Sequence, residues 1–153
     1  MFTAKQIADW ILSKINKSAG DTISPLKLQK LLYYCQAWHY TIFDEKLFDE
    51  RIEAWTHGPV IPSQYKRFSY ILLYDNIDID RINRETVSLP PKTEELLNEV
   101  MDIYAEHSAN YLENLTHNEL PWKQTRGDLE PWVASHEEIP LSLIKEYYSS
   151  VNR

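Results

Sequence analysis

The chain has 153 residues, of which 43% are hydrophobic and 25% are charged, as in a globular protein with one sizeable core. A formal net charge of −7 argues against stand-alone nucleic-acid binding, and only three glycines leave no glycine-rich phosphate loop. With Cys35 as the single cysteine, a disulfide within the chain and a cysteine-based zinc site are both excluded. Neither a membrane-spanning run nor a signal-peptide core occurs, so we expect a single cytoplasmic domain over residues 1–153.

Two helices are predicted in the first 42 residues. Thr3 and Gln6 have the spacing of a capping box, which starts a helix reaching about Ile15. Ser24 followed by Pro25 predicts the start of a second helix, which ends near Ile42. This helix has two stripes on different sides, one apolar and one of amides and aromatic rings. The apolar stripe contains Leu28, Leu31, Leu32, Cys35, His39 and Ile42; the second contains Gln29, Tyr33, Gln36 and Tyr40. We therefore expect a central helix with neighbours on two sides, in which Cys35 is an inert thiol and His39 a hydrogen-bonded core residue.

The middle of the chain is less regular. Residues 51–55 predict a short extended piece before a turn at Gly58 and Pro59. Residues 63–73 predict a third helix with Tyr65 and Phe68 on one face. Residues 75–91 are rich in Asp, Asn and Arg, and we expect them to form a long, mobile surface connection.

The last third of the chain predicts three more helices. One covers residues 92–106, a short one begins after Ser108, and the last covers residues 141–151 after Pro140. The predicted fold class is therefore mainly α, with about six helices and a short irregular or β-like insertion.

The segment LTHNELPW, residues 115–122, admits two interpretations. Thr116 and Glu119 have capping-box spacing, and Pro121 would end that helix after one turn, so a structural corner is favoured. The alternative is a metal-dependent hydrolase that uses His57, His117 and Glu119. No HExxH spacing or other cluster of ligands supports that alternative, and we expect no metal or cofactor. Trp122 is expected to fold back onto the helices as a packing anchor.

Aromatic residues are more numerous than a core of this size needs, with five Trp and ten Tyr. Three of the tryptophans, Trp55, Trp122 and Trp132, fall in predicted loops. They either fill gaps between short helices or belong to a protein-binding surface, where Trp, Tyr and Arg concentrate the binding energy. The residues therefore favour an interaction domain over an enzyme.

Three segments closely resemble the Panacea antitoxin domain, a family also called SocA-like that includes phage-associated GepA-like proteins. The segments are SPLKLQKLLYYCQAWHY, LFDERIEAWTHGPVIPSQY and SANYLENLTHNELPWKQTR, and the likeness runs through almost the whole chain. The matching positions are Lys27, Gln29, Lys30, Tyr33, Tyr34, Gln36, Trp38, Trp55, Gly58, Pro59, Tyr65, Thr116, His117, Glu119, Pro121, Trp122 and Arg126. His57 departs from the pattern, because an aromatic residue, commonly Tyr, is expected before the Gly-Pro pair.

The resemblance implies a mainly α-helical bacterial antitoxin that binds and neutralises a toxin encoded beside it. At least one type in the family acts as an adaptor that delivers its toxin to a bacterial AAA+ protease. The resemblance implies neither catalytic residues nor a cofactor. We expect the toxin to meet His57, Tyr65, His117 and Arg126, in the two motifs that lie outside the long helices. This expectation requires the fold to bring those motifs side by side.

Overall fold

Seven α-helices and one short hairpin occur in the residues that the computed structural model describes, 1–151. The last two residues of the predicted domain lie outside this range. The elements are α1 (Ala4–Ser13), α2 (Pro25–Phe43), β1 (Glu53–Trp55), β2 (Gly58–Val60), α3 (Pro62–Arg67), α4 (Pro91–Tyr104), α5 (Ala109–His117), α6 (Leu120–Arg126) and α7 (Leu141–Ser149). The predicted fold class, mainly α with a short β-like insertion, is confirmed. None of the described helices combines the length and the apolar character that crossing a membrane requires.

Helix starts follow the local capping signals of the sequence. At α1, the Thr3 hydroxyl accepts from the Gln6 backbone N–H, and the Gln6 side chain accepts from the Thr3 backbone N–H. The Ser24 hydroxyl accepts from the Lys27 backbone N–H at the start of α2, where Pro25 lies in the first turn. The Ser108 hydroxyl accepts from the Tyr111 backbone N–H at the start of α5. Each cap satisfies backbone donors that the first turn of a helix leaves free, so these three predictions are confirmed.

Helix α2 lies at the centre of the fold. Both of its predicted stripes are buried except at their last members, since Ile42 is exposed and Tyr40 is half-buried. The helix contacts α1, α3, α4, α5, α7 and β2. His39 is buried, with Nδ1 at 2.8 Å from the Glu45 carbonyl and Nε2 at 3.2 Å from the Thr93 hydroxyl. The prediction of a central helix with a hydrogen-bonded core histidine is confirmed.

The hairpin is held by polar side chains of α2. Strands β1 and β2 are antiparallel, with Ala54 opposite Pro59. The Gln29 amide bonds both the N–H and the C=O of Ile61, at 2.9 and 3.2 Å. The Gln36 amide accepts from the Leu47 N–H and donates to the Phe48 carbonyl. The second stripe of α2 therefore fixes the backbone of the irregular segment that follows it.

One sequence prediction in the middle of the chain was wrong, and another is refined. Helix α3 ends at Arg67, not near Leu73, and Phe68 is buried while Leu72 is exposed. The connection over residues 75–91 is mostly exposed, as predicted, but buried side chains anchor it to the core. Ile77 and Ile79 are buried, and the Ile77 N–H donates to the Ile23 carbonyl at 2.8 Å.

The LTHNELPW corner also differs from the capping-box prediction. Thr116 and His117 form the last turn of α5, and the Thr116 hydroxyl donates to the Glu113 carbonyl. Glu119 precedes α6 without capping it, because its carboxylate points into the core. Pro121 lies in the first turn of α6, where proline is well tolerated. The residue that was expected to stop a helix therefore starts one, and α6 is the helix beyond the six predicted.

Candidate protein-binding site

The fold brings the two predicted motifs side by side. The Trp122 indole N–H donates to the Trp55 carbonyl at 2.7 Å, which joins α6 to β1. The Arg126 guanidinium donates to the Ala54 carbonyl at 3.2 Å in the same strand. The hairpin and the α5–α6 corner therefore form one continuous region, as the sequence hypothesis required.

Arg126 is a buried residue of this region. Its side chain also donates to the carbonyls of Glu130 and Val133, at 2.9 and 2.5 Å. With 4% of its surface exposed, it presents no free guanidinium to a partner. The structure therefore corrects the expectation that Arg126 lies on an exposed binding face. Its contacts fix the loop after α6 against β1.

His117 and Trp122 pack on each other behind the hairpin. Their rings are stacked with centroids 4.1 Å apart, and the Arg126 guanidinium lies 5.0 Å from the Trp122 ring. Trp122 is buried, and the Nε2 atom of His117 is buried without a hydrogen-bond partner among the described residues. Burial and the nearby Lys30 hold the pKa of His117 below its ordinary value. His117 is therefore a half-buried ring that packs against its neighbours.

Lys30 is a fully buried lysine beneath the hairpin. Its ammonium group donates to the Pro59 carbonyl at 2.9 Å. Burial lowers the pKa of Lys30 to about 7, although Glu113 opposes the shift. Gly58 has a φ of 106°, and a Cβ built there would lie 2.8 Å from the Thr116 hydroxyl and 2.9 Å from the Lys30 side chain. Only glycine fits this approach between hairpin and helices.

His57 lies at the exposed turn of the hairpin. Its Nδ1 is 2.9 Å from a carboxylate oxygen of Glu113, and the other oxygen accepts from the Tyr74 hydroxyl at 3.1 Å. Since carboxylate oxygens accept hydrogen bonds, Nδ1 carries the hydrogen of this contact. The ring is therefore oriented from behind while half of the side chain stays exposed.

An apolar cavity of about 420 Å³ opens beside the hairpin. It lies between the hairpin, the start of α2, the segment that follows α3, and residues 134–136. Its lining consists of Pro25, Leu26, Gln29, Trp55, Thr56, His57, Val60, Tyr65, Phe68, Ser69, Ile71, Leu73, Ala134, Ser135 and His136. Trp55 is central to this wall, because its ring contacts Tyr65 and His136 with centroids 4.8 and 5.1 Å away. Concave apolar sites with a few polar groups are where proteins commonly take up ligands or partner side chains.

The residues of the hydrolase alternative do not share such a site. Glu119 accepts hydrogen bonds from the hydroxyls of Tyr34 and Tyr148, at 2.7 and 2.8 Å, and burial raises its pKa. His57 pairs with Glu113 instead. Within residues 1–151 there is no group of three or more His, Cys, Asp or Glu side chains that could hold a metal ion. Nothing in the geometry therefore favours the hydrolase.

Comparison with known proteins places this chain in a family. The family described as "Antitoxin SocA-like, Panacea domain" matches residues 28–123, which is more than half of the sequence. Neither the curated proteins nor the solved structures contain a match. The chain belongs to the SocA-like Panacea antitoxin family, as the sequence motifs predicted.

Three features of this region were missed in the sequence. Burial of Lys30 was not predicted, although the residue lies next to Gln29 on a helix with two buried stripes. Glu113 was not selected, because its partner His57 is distant in sequence. His136 was not selected, because nothing in its local sequence indicates contact with Trp55. The position of Lys30 beside a buried stripe could have indicated its burial, whereas no local sequence feature indicates the contacts of Glu113 or His136.

Proposed function

We propose that this protein is a cytoplasmic antitoxin, formed as a single domain, that neutralises a protein toxin by binding it directly. The observation that carries the proposal is the aromatic-walled cavity of about 420 Å³ in a member of an antitoxin family. The role is that of a binding module and not of an enzyme, and it needs neither metal nor cofactor. The cognate toxin is the partner.

Support for this surface comes from the exposure of its aromatic rim. Tyr65 is 43% exposed although it packs on Trp55, and the His57 side chain is half exposed beside it. Large aromatic side chains that line a concave apolar site are typical hot spots of protein interfaces, because they bury much area at low entropic cost. Tyr65 and His57 are accordingly proposed to touch the toxin.

His117 and Arg126 have a different role in the proposal. Both lie behind the hairpin, where His117 packs on Trp122 and Arg126 bonds the Ala54 carbonyl. Their effect on the toxin is therefore indirect, since they hold the hairpin that presents Trp55 and His57.

The test is neutralisation of the toxin encoded by a neighbouring open reading frame, in cells that co-express this chain. Tyr65→Ala should weaken toxin binding by about 2 kcal/mol or more, as loss of an aromatic hot spot does. Tyr111→Ala is the matched control, because Tyr111 is a similarly exposed tyrosine, 48%, that does not line the cavity. Both variants are first checked for an unchanged melting temperature. Full neutralisation by Tyr65→Ala would place the toxin-binding surface elsewhere.

Delivery of the toxin to an AAA+ protease is a second possible mechanism of neutralisation, beside sequestration. Sequestration leaves the toxin abundant but inactive, whereas delivery removes it. We propose sequestration as the basal mechanism, because a bound interface alone accounts for it. Toxin half-life, measured with and without this chain in wild-type cells and in cells lacking individual AAA+ proteases, separates the two. A half-life that falls only in the presence of both chain and protease would establish delivery.

A further inference from the structure

Two histidines at the cavity each lie beside a carboxylate. His57 Nδ1 forms a hydrogen bond with Glu113 at 2.9 Å, whereas His136 Nδ1 lies 3.4 Å from a Glu53 oxygen without a hydrogen bond. Both glutamates are largely buried, with 12% and 13% of their side chains exposed, so each carboxylate lies behind its ring. Among residues 1–151, neither Nε2 atom has a hydrogen-bond partner. In the neutral ring with a hydrogen on Nδ1, Nε2 carries a free lone pair and accepts hydrogen bonds.

The remainder of the cavity suits a flat cation with an apolar stem. Trp55 and Tyr65 supply aromatic rings, which attract a cation placed over their faces. Among the described residues that line the cavity, none is a lysine or an arginine. Apolar side chains such as Leu26 and Phe68 form the remaining wall and suit aliphatic carbons.

We propose that the side chain seated here is an arginine from a basic segment of the partner. This inference rests on the proposed function and specifies the chemistry of the toxin surface. The guanidinium stacks on the Trp55 wall and donates to the Nε2 atoms of His57 and His136. Its aliphatic stem lies against the apolar lining. A net charge of −7 on the chain attracts such a segment, and arginine stacks on aromatic faces better than lysine because it is planar and weakly hydrated.

The surroundings of His57 give the proposal a pH dependence. The carboxylate of Glu113 faces its ring and also accepts from Tyr74. Lys30 interacts electrostatically with that carboxylate, and His57 contributes to the lowered pKa of His117. Lys30, with a pKa of about 7, gains positive charge as the pH falls below that value, and this charge opposes an arriving cation.

His136 also has charged neighbours. Glu53 faces its Nδ1, accepts from the Trp55 indole at 2.9 Å and pairs with Arg51 at 3.0 Å. Arg51 also lies 3.7 Å from Glu138. Neither Arg51 nor the two glutamates line the cavity, so they affect the electrostatic potential in it without occupying its space.

The test uses two peptides and the full-length chain. Acetyl-Gly-Arg-Phe-Gly-amide is titrated against its citrulline counterpart, which keeps the planar shape without the charge, and ring signals of Trp55, His57 and His136 are followed by NMR. The arginine peptide should bind about tenfold more tightly than the citrulline peptide. It should bind more weakly at about pH 6 than at about pH 8, because Lys30 gains charge between them. His57→Lys and His136→Lys should each abolish the preference. His107→Lys is the matched control, because His107 stacks on Tyr111 away from the cavity.

Equal affinity for the two peptides, or shifts confined to other parts of the chain, would overturn the arginine site. That result leaves the proposed function intact if the toxin still co-purifies with the wild-type chain and depends on Tyr65. Conversely, selective binding of the arginine peptide together with a toxin that ignores Tyr65→Ala would uphold the site and reject its role in neutralisation. The two failures are thus separate observations.

Discussion

At the scale of single residues, Trp122 makes several contacts that its local sequence does not predict. It stacks on His117, donates to the Trp55 carbonyl and lies beside the Arg126 guanidinium. Trp122→Ala should lower the free energy of unfolding by about 3–5 kcal/mol, the range for truncating a buried aromatic side chain. Trp122→Phe keeps most of the ring but loses the indole N–H, so it should be destabilised less. Chemical denaturation measures both, and an unchanged midpoint for the alanine variant would contradict the packing role.

Gly58 combines a positive φ with a close approach to two side chains. Gly58→Ala should destabilise the protein by about 1–3 kcal/mol, because it adds backbone strain and forces Lys30 and Thr116 to move. Gly20→Ala is the control, since Gly20 also has a positive φ, 86°, but nothing lies within 4 Å of an added Cβ. Each variant's loss of unfolding free energy is measured, and the excess loss for Gly58→Ala gives the cost of the steric clash. If the two variants are equally stable, the space beneath the hairpin is not as tight as the structure has it.

Lys30 makes stability depend on pH in a defined direction. Its folded-state pKa is about 7, below the ordinary lysine value, so between about pH 7 and pH 10 the unfolded chain binds more protons than the folded one. Stability from this group therefore rises with pH across that window, and below it the burial of the charge opposes folding in full. Lys30→Met should flatten this rise. Urea denaturation of both proteins at several pH values measures the slopes, and identical slopes would exclude a buried, shifted lysine.

At the scale of elements, Glu119 joins three helices. It precedes α6, and its carboxylate accepts from Tyr34 of α2 and Tyr148 of α7. Glu119→Ala should destabilise the protein by about 2–3 kcal/mol, because two buried hydroxyls lose their acceptor. Glu119→Gln keeps an amide oxygen in place and should recover at least half of the loss. Thermal melts distinguish these outcomes, and equal loss in both variants would mean that the charge matters and not the acceptor.

Sequence patterns predicted the elements best where the signal was local. The starts of α1, α2 and α5 were correct, because Thr3, Ser24 and Ser108 act on their own first turns. The end of α3 and the role of Pro121 were not predicted, because each depends on packing. Phe68 leaves the helical path to enter the core, and Glu119 turns inward to distant tyrosines. No local pattern contains those partners.

The same distinction applies to the candidate site. The sequence identified the hairpin motif and the α5–α6 corner, and it predicted a partner role for His57 and Tyr65 that remains to be measured. It could not predict that residues 134–136 close the cavity, because the contact between His136 and Trp55 joins positions far apart in the chain. Arg126 was expected to meet the toxin, but it is buried, and its contacts are with backbone carbonyls of this chain.

At the scale of the whole molecule, α2 should be the last element to open. It contacts six other elements, and 14 of its 19 residues are buried. Its backbone amides should therefore exchange with solvent only through global unfolding. Residues 69–76 and 128–134, which are mostly exposed, should exchange fastest. Native-state hydrogen exchange monitored by mass spectrometry measures this order. Amides of α1 that outlast those of α2 would show that the fold has a different centre.

The side chains of Gln29, Lys30 and Gln36 form hydrogen bonds with the backbone of the hairpin segment. These bonds affect how the segment can evolve. Because a bond to main-chain atoms is indifferent to side-chain identity, the geometry of the segment does not depend on its own outward-facing residues. Those residues can therefore be substituted as a partner changes, while the backbone conformation of the segment stays the same. Mutational tolerance should therefore be high at Tyr65 and His57 in a screen for folding alone, and low at Gln29, Lys30 and Gln36, whose side chains bond the backbone.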